Sequence, residues 1–242
     1  MLNWEKRWRC RCIFICTKIL EVPGMLENYK TIYAGGEGEI TEKKSRFIAT
    51  VRLVEKEEDA LAFIEEMKKK YWDARHNCYA YSIGEHREFT RCSDDGEPSG
   101  TAGRPMLDVI LGEDIYNVAV VVTRYFGGVL LGTGGLVRAY SGAVQEGLKE
   151  STVIEKHHGI SLALTADYTS VGKLQYIAAE NQLPVLDTEY TDRVIMHLLV
   201  PNDQVLRIEK VVTEATSGRV KMEKETELYY AVVDGEIKVF DH

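Results

Sequence analysis

Residues 160–233 read ISLALTADYTSVGKLQYIAAENQLPVLDTEYTDRVIMHLLVPNDQVLRIEKVVTEATSGRVKMEKETELYYAVV, and this stretch decides the class of fold. Ile160–Ala166 is an apolar run of strand length, and Ser170–Asn181 has helical spacing. Two further strands, Pro184–Tyr190 and Val194–Val200, are parted by a Thr191-Asp192 turn. Asp203–Ser217 is a second helix with Val205, Ile208, Val211 and Val212 on one face, and Val220–Val233 returns to a strand pattern. The order β-α-β-β-α-β is the split βαβ, or ferredoxin-like, arrangement of an α+β domain.

Upstream of it a different order appears. Thr31–Ile40 alternates weakly and breaks at Gly35-Gly36, and Lys43-Lys44-Ser45 reads as a turn. Arg46–Val54 sets Phe47, Ala49, Val51 and Leu53 on one side of a strand. Glu57–Tyr71 is a helix with Leu61, Ile64, Met67 and Tyr71 facing inward, its acids first and its lysines last, as the helix dipole favours. Asn77–Ile83 and Glu88–Cys92 form a hairpin, followed by a polar loop, Ser93–Gly103, and a short helix, Arg104–Leu111, with Pro105 in its first turn. A buried strand, Asn117–Tyr125, leads through a glycine-rich loop into a helix, Leu136–Lys149. Around residues 151–158 the pattern restarts, and His157-His158 reads as linker. Two α+β domains are therefore expected, residues 25–156 and 157–242.

Composition narrows the function classes. The chain has 242 residues, 45% hydrophobic and 28% charged, ordinary for a globular protein. Its net charge of −8 is uneven: +3 over residues 1–24, −6 over 25–155 and −5 over 156–242. An acidic body argues against duplex binding through a broad basic face, but leaves room for a local basic patch. The five cysteines, Cys10, Cys12, Cys16, Cys78 and Cys92, are odd in number and read as reduced thiols of a cytoplasmic protein. Cys10, Cys12 and Cys16 lack the paired spacing of a metal site, so neither metal nor cofactor is expected. The apolar run Cys12–Cys16 is too short to cross a bilayer and lacks a signal-peptide core, so no membrane role is expected. Glu21-Val22 can be encoded as a ribosome-binding site just upstream of Met25. Residues 1–24 thus read as a non-native or disordered extension, with Met25 the native start.

Three motifs carry candidate chemistry. In Ser93–Pro105, SDDGEPSGTAGRP, the carboxylates Asp94, Asp95 and Glu97 precede a small-residue run that opens a helix. Free N–H groups there, with the hydroxyls of Ser99 and Thr101 and the freedom of Gly100, favour an anion. The carboxylates could instead hold a divalent cation, or the segment could simply cap its helix. In Thr123–Tyr140, TRYFGGVLLGTGGLVRAY, the glycines Gly127, Gly128, Gly132, Gly134 and Gly135 lie between Arg124 and Arg138. Backbone N–H groups and two guanidiniums could cradle a phosphate. No Gly-Lys-Ser/Thr closes the loop as a P-loop would. The alternative is tight packing at the glycines and arginines paired with carboxylates. In Trp72–Tyr81, WDARHNCYAY, His76 and Cys78 share one side of a strand. They could form a nucleophilic pair with Asp73 as its acid, or a half-buried polar strand edge. The Lys68-Lys69-Lys70 run reads as a solvated helix end, and Tyr229-Tyr230 as packing. If the first two motifs share chemistry, their loops should face one another, with Arg124 or Arg138 near the N–H groups of Ser99–Gly103.

Taken together, NVAVVVTRYFGGVLLGTGGLVRAY (117–140), SDDGEPSGTAGRP (93–105), KSRFIA (44–49) and RHNCYAY (75–81) resemble the Impact/YigZ family, in order and over about residues 25–242. The resemblance implies an N-terminal domain with a left-handed βαβ unit, like a ribosomal-protein domain and translocase domain IV. It implies a ferredoxin-like C-terminal domain similar to domain V of elongation factor G. The function it implies is a translation-associated binding protein contacting structured RNA or the ribosome. Two alternatives stand beside it. One is an enzyme acting on a phosphorylated small molecule, since the same N-terminal fold class hosts small-molecule kinases. The other is a protein-interaction regulator like eukaryotic Impact, which acts on an initiation-factor kinase through a partner protein.

Overall fold

Gly35-Gly36 breaks the first apolar run into β1 (Asn28–Ala34) and β2 (Glu37–Glu42) in the computed structural model, which describes residues 26–240. Expectations for residues 1–24 and Met25 lie outside those residues. β2 folds back on β3 (Ser45–Leu53) through the two-residue turn Lys43-Lys44, both at positive φ, 45° and 66°. Then follow α1 (Glu57–Lys70), β4 (His76–Ile83), β5 (Phe89–Ser93), α2 (Gly103–Gly112), β6 (Ile115–Tyr116), β7 (Val118–Tyr125) and α3 (Thr133–Lys149). β2, β3, β7, β4 and β5 form, in that order, an antiparallel sheet with β7 at its centre.

β7 is apolar almost throughout because both its faces are covered. Val118, Val120 and Val122 pack with Phe47, Ala49, Val51, Cys78 and Ala80 under α2 and α3. Ala119 and Val121 pack with Tyr81 and Ile83 under α1. The buried stripe of α1 is Ala60, Phe63, Ile64 and Met67. Leu61, expected inward, is 49% exposed. It stands about 100° round the helix from Ala60, off the stripe that Phe63 and Ile64 define.

The chain continues through β8 (Thr152–Ala166), α4 (Val171–Glu180), β9 (Val185–Tyr190), β10 (Val194–Pro201), α5 (Val205–Thr216), β11 (Lys221–Val233) and β12 (Glu236–Phe240), and these five strands join β1 and β6 in a second, seven-stranded sheet. Its core strands run β11-β8-β10-β9, all antiparallel, which is the ferredoxin-like order. α4 and α5 bury Leu162, Leu164, Leu174, Met196, Leu198, Ile208 and Val212 between themselves and the sheet.

The linker expected at His157-His158 is corrected, because both residues lie inside β8. The first half of β8 pairs with β1 and its second half with β10, so one strand runs through both units. Its first half looked irregular because Lys156 and His158 sit at buried positions. Lys156 lies 4.4 Å over the Phe240 ring, and the His158 ring is 5.8 Å from that of Tyr229. Among the described residues no helix is long and apolar enough to cross a membrane.

Candidate nucleic-acid interface

Strand register brings four loops to one end of the five-stranded sheet. Arg46 pairs with Tyr125, His76 with Arg124, and Tyr79 with Ser93. The Lys43-Lys44 turn, the Trp72–Arg75 connection, Ser93–Gly103 and Gly127–Gly135 therefore all leave from that end. Glu97 of the acidic loop reaches the residues on either side of the glycine-rich loop, Arg124 in β7 and Tyr140 in α3.

The acidic loop is occupied by its own side chains. Asp94 Oδ2 accepts the N–H of Gly100 at 2.8 Å, and Oδ1 accepts those of Ala102 at 2.9 Å and Gly103 at 2.8 Å. Burial works to raise the Asp94 pKa, but the three N–H groups together hold it below the usual value. The open anion cradle expected at Ser99, Gly100 and Thr101 is thereby corrected: the carboxylate six to nine residues upstream fills it. Thr101 Oγ1 donates to the Pro98 carbonyl at 2.6 Å, and Ser99 is exposed. Asp95 Oδ2 accepts the Asn77 N–H at 2.7 Å, and Glu97 is buried against Arg124. With each carboxylate turned to a different partner, the cation site expected at Asp94, Asp95 and Glu97 is corrected too. Among the described residues no group of three or more acids, histidines or cysteines is arranged to hold a metal.

His76 and Cys78 share a face, but each bonds the acidic loop. His76 Nδ1 lies 2.8 Å from the Asp95 carbonyl, and Cys78 Sγ donates to the Asp94 carbonyl at 2.9 Å. Burial, eased only in part by the Tyr140 hydroxyl, pushes the Cys78 thiol up to about 12, the reverse of an activated nucleophile. Asp73, the acid that pair would need, accepts the Tyr125 hydroxyl at 2.7 Å. The pair is structural, but β4 is an inner strand and Cys78 is fully buried, so the half-buried strand edge offered as the alternative is corrected as well.

The two arginines have opposite fates. Arg124 Nη1 meets Glu97 Oε1 at 2.5 Å with both side chains buried, and Tyr140 donates to the same oxygen at 2.9 Å. The guanidinium also packs 5.6 Å from the centre of the Phe126 ring. Arg124 is therefore an internal ion pair and not the exposed phosphate ligand expected. Arg138 is exposed on α3, with no hydrogen-bond or ion-pair partner among the described residues. It lines a cavity of about 210 Å³ with Lys43, Glu42 and Gly135, floored by Ile40, Leu131 and Ala139.

That cavity adjoins the start of α3. Gly132 occupies the N-cap at φ 70° and brings no capping side chain. A side chain there would be strained, and Gly132 leaves the first-turn N–H groups of Thr133, Gly134 and Gly135 without a protein acceptor among the described residues. Gly127 has a different task. A Cβ on it would stand 2.1 Å from the Lys44 carbonyl, so its absence lets the loop lie on the Lys43-Lys44 turn. Gly127 N–H donates to buried Ser45 Oγ at 3.1 Å. Gly128, at φ 84°, lies in the open part of the loop, beside exposed Val129 and Leu130.

Lys43, Lys44 and Trp72 were not among the residues expected in the site. Trp72 is 80% exposed, just beyond Tyr71 where the apolar stripe of α1 ends. Its place off that stripe was the available signal.

Comparison with known proteins gives two matching family models. The Impact N-terminal domain covers residues 43–148, which include the site residues named above except Ile40 and Glu42, and a domain of unknown function (DUF1949) covers 164–219. The chain is 42% identical over 206 residues to the IMPACT family member YvyE of Bacillus subtilis, covering 85% of this chain and 94% of that protein. It is 33% identical over 182 residues to the IMPACT family member YigZ of Escherichia coli, covering 74% and 89%. A solved structure described as that of an hypothetical protein matches with TM-score 0.54 and 30% identity, covering 84% of this chain and 99% of the other.

Proposed function

We propose, from the premise that this chain belongs to the Impact family, that it is a translation-associated binding protein that holds structured RNA, ribosomal or free, at the loop end of its five-stranded sheet. The observation that carries this reading is the contrast between two helix starts. The N–H groups opening α2 are filled by Asp94, whereas those opening α3 have no protein acceptor and lie beside Arg138 and Lys43. Main-chain N–H groups at a helix N-terminus, a guanidinium and an ammonium are the donors that bind a phosphate oxygen. Catalysis is disfavoured by the same geometry, since the thiol and carboxylates nearby are tied into internal hydrogen bonds. The cavity, about 210 Å³, is smaller than the roughly 300–1,000 Å³ of pockets that enclose a drug-sized molecule. It suits one phosphate group of a larger ligand better than a whole phosphorylated metabolite.

The test is filter binding of an RNA stem-loop at several salt concentrations, with sedimentation of the chain with ribosomes in parallel. Arg138→Ala is expected to weaken binding by about 1.5–3 kcal/mol and to reduce the salt slope by about one. Its melting temperature should not move, because Arg138 is exposed and unpaired. Wild-type affinity in the variant, or no RNA or ribosome association by the wild type, would retire the proposal.

A further inference from the structure

We infer that the RNA is engaged at unpaired bases stacked on Trp72 and Phe126, and not along an uninterrupted duplex; this rests on the RNA-binding reading above. Trp72 is 80% exposed and Phe126 50%. Tryptophan is highly buried on average, so a ring left this open marks a contact surface. Its backbone is fixed even though its ring is free. The Ala74 N–H donates to the Tyr71 carbonyl at 3.0 Å and closes a turn around Trp72. Tyr71 on one side donates to Glu37 at 3.0 Å, and Asp73 on the other accepts the Tyr125 hydroxyl at 2.7 Å. That last bond ties the turn to the residue before Phe126, so both rings stand at the same end of the sheet. Phe126 is equally preorganised: the Arg124 guanidinium lies 5.6 Å from its ring centre, and Glu97 holds that guanidinium still. The ring keeps an open side to solvent.

Charge decides which partner fits. Lys69 and Arg75 flank Trp72, and Lys43, Lys44 and Arg138 flank the glycine-rich loop. All five are exposed and none has a carboxylate partner among the described residues. Free cations interleaved with open aromatic rings, on a body of net charge −8, complement a polyanion that also offers flat apolar faces. A single-stranded nucleic acid offers both, because its base faces are free to stack while its phosphates meet the cations. In a continuous A-form duplex those faces are hidden, and only phosphates and sugar hydroxyls are presented.

The experiment is fluorescence anisotropy with the full chain, using a labelled single-stranded RNA and the same strand annealed to its complement. The single strand is expected to bind roughly tenfold or more tightly than the duplex. Trp72→Ala and Phe126→Ala should each weaken single-strand binding by roughly tenfold with the salt slope unchanged. Trp72→Phe should retain most of the affinity, and the melting temperature of Trp72→Ala should hold because that ring is 80% exposed. Equal affinity for the two RNAs with a silent Trp72→Ala would overturn this inference, and a binding defect in Arg138→Ala in the same assay would show the phosphate reading still standing. Failure of the wild type to bind either RNA would overturn both.

Discussion

Arg124 and Arg138 bracket one loop, yet their surroundings give them opposite tasks. Arg124 is the next-to-last residue of the central strand β7, where both faces are covered, so its charge had to be met from within; Glu97 meets it, and Tyr140 donates to the same carboxylate. Removing it should leave a buried carboxylate without its cation, a class of change that costs about 3–5 kcal/mol. Arg124→Ala is therefore expected to lower stability by that order in urea unfolding, and Glu97→Gln in the same chain should recover part of the loss. An Arg124→Ala protein as stable as wild type would show that the pair adds nothing. The sequence showed that the two arginines belong to the loop but not which was internal. β7 is apolar on both faces, so alternation could not say which way residue 124 points. For Asp94 the obstacle was distance along the chain. A carboxylate that caps a helix nine residues downstream leaves no local spacing signal, so its cradle looked open.

The β2–β3 hairpin shows a local rule broken at the same end of the molecule. Two-residue hairpin turns of this hand favour Asn-Gly, because both positions need positive φ. Lys43 and Lys44 take those angles with full side chains, at a cost of about 1–2 kcal/mol each. Replacing the pair by Asn-Gly should raise stability by about 1 kcal/mol. The same change should weaken RNA binding, because it removes two free cations, and its salt slope should flatten. Melting temperature and anisotropy on that one variant check both halves. A tighter-binding Asn-Gly protein would disprove the link between strain and function. At this scale the sequence was largely legible: the helices and the longer strands of both sheets fall where period and punctuation put them. The misses are β6, only two residues long, and β12, whose Glu236 and Lys238 dilute its apolar signal. The first half of β8 was hidden as well, by a lysine and a histidine at buried positions.

The molecule as a whole is two sheets, each with its own apolar core, joined where β1 of the first unit pairs with β8. The core beneath α4 and α5 is built wholly from residues 160–222, which is why residues 157–242 expressed alone are expected to unfold in one cooperative transition. That transition should come at lower denaturant than in the full chain, because Tyr229 and Lys156 pack against β1 and its ring Tyr29. A fragment without any cooperative transition would show that the second unit depends on the first. The two-unit plan was readable from element order; the way the units join was not, because the joining strand carries the pattern of neither. β8 is 15 residues long, which at about 3.3 Å per residue makes a strut of roughly 50 Å. A flexible tether between two units leaves their separation to chance. A strut held on both sides by hydrogen-bonded strands fixes the separation of its ends instead. The two ends of β8 are thereby held one span apart, so a movement of β1 at one end is passed along the strand to β10 at the other.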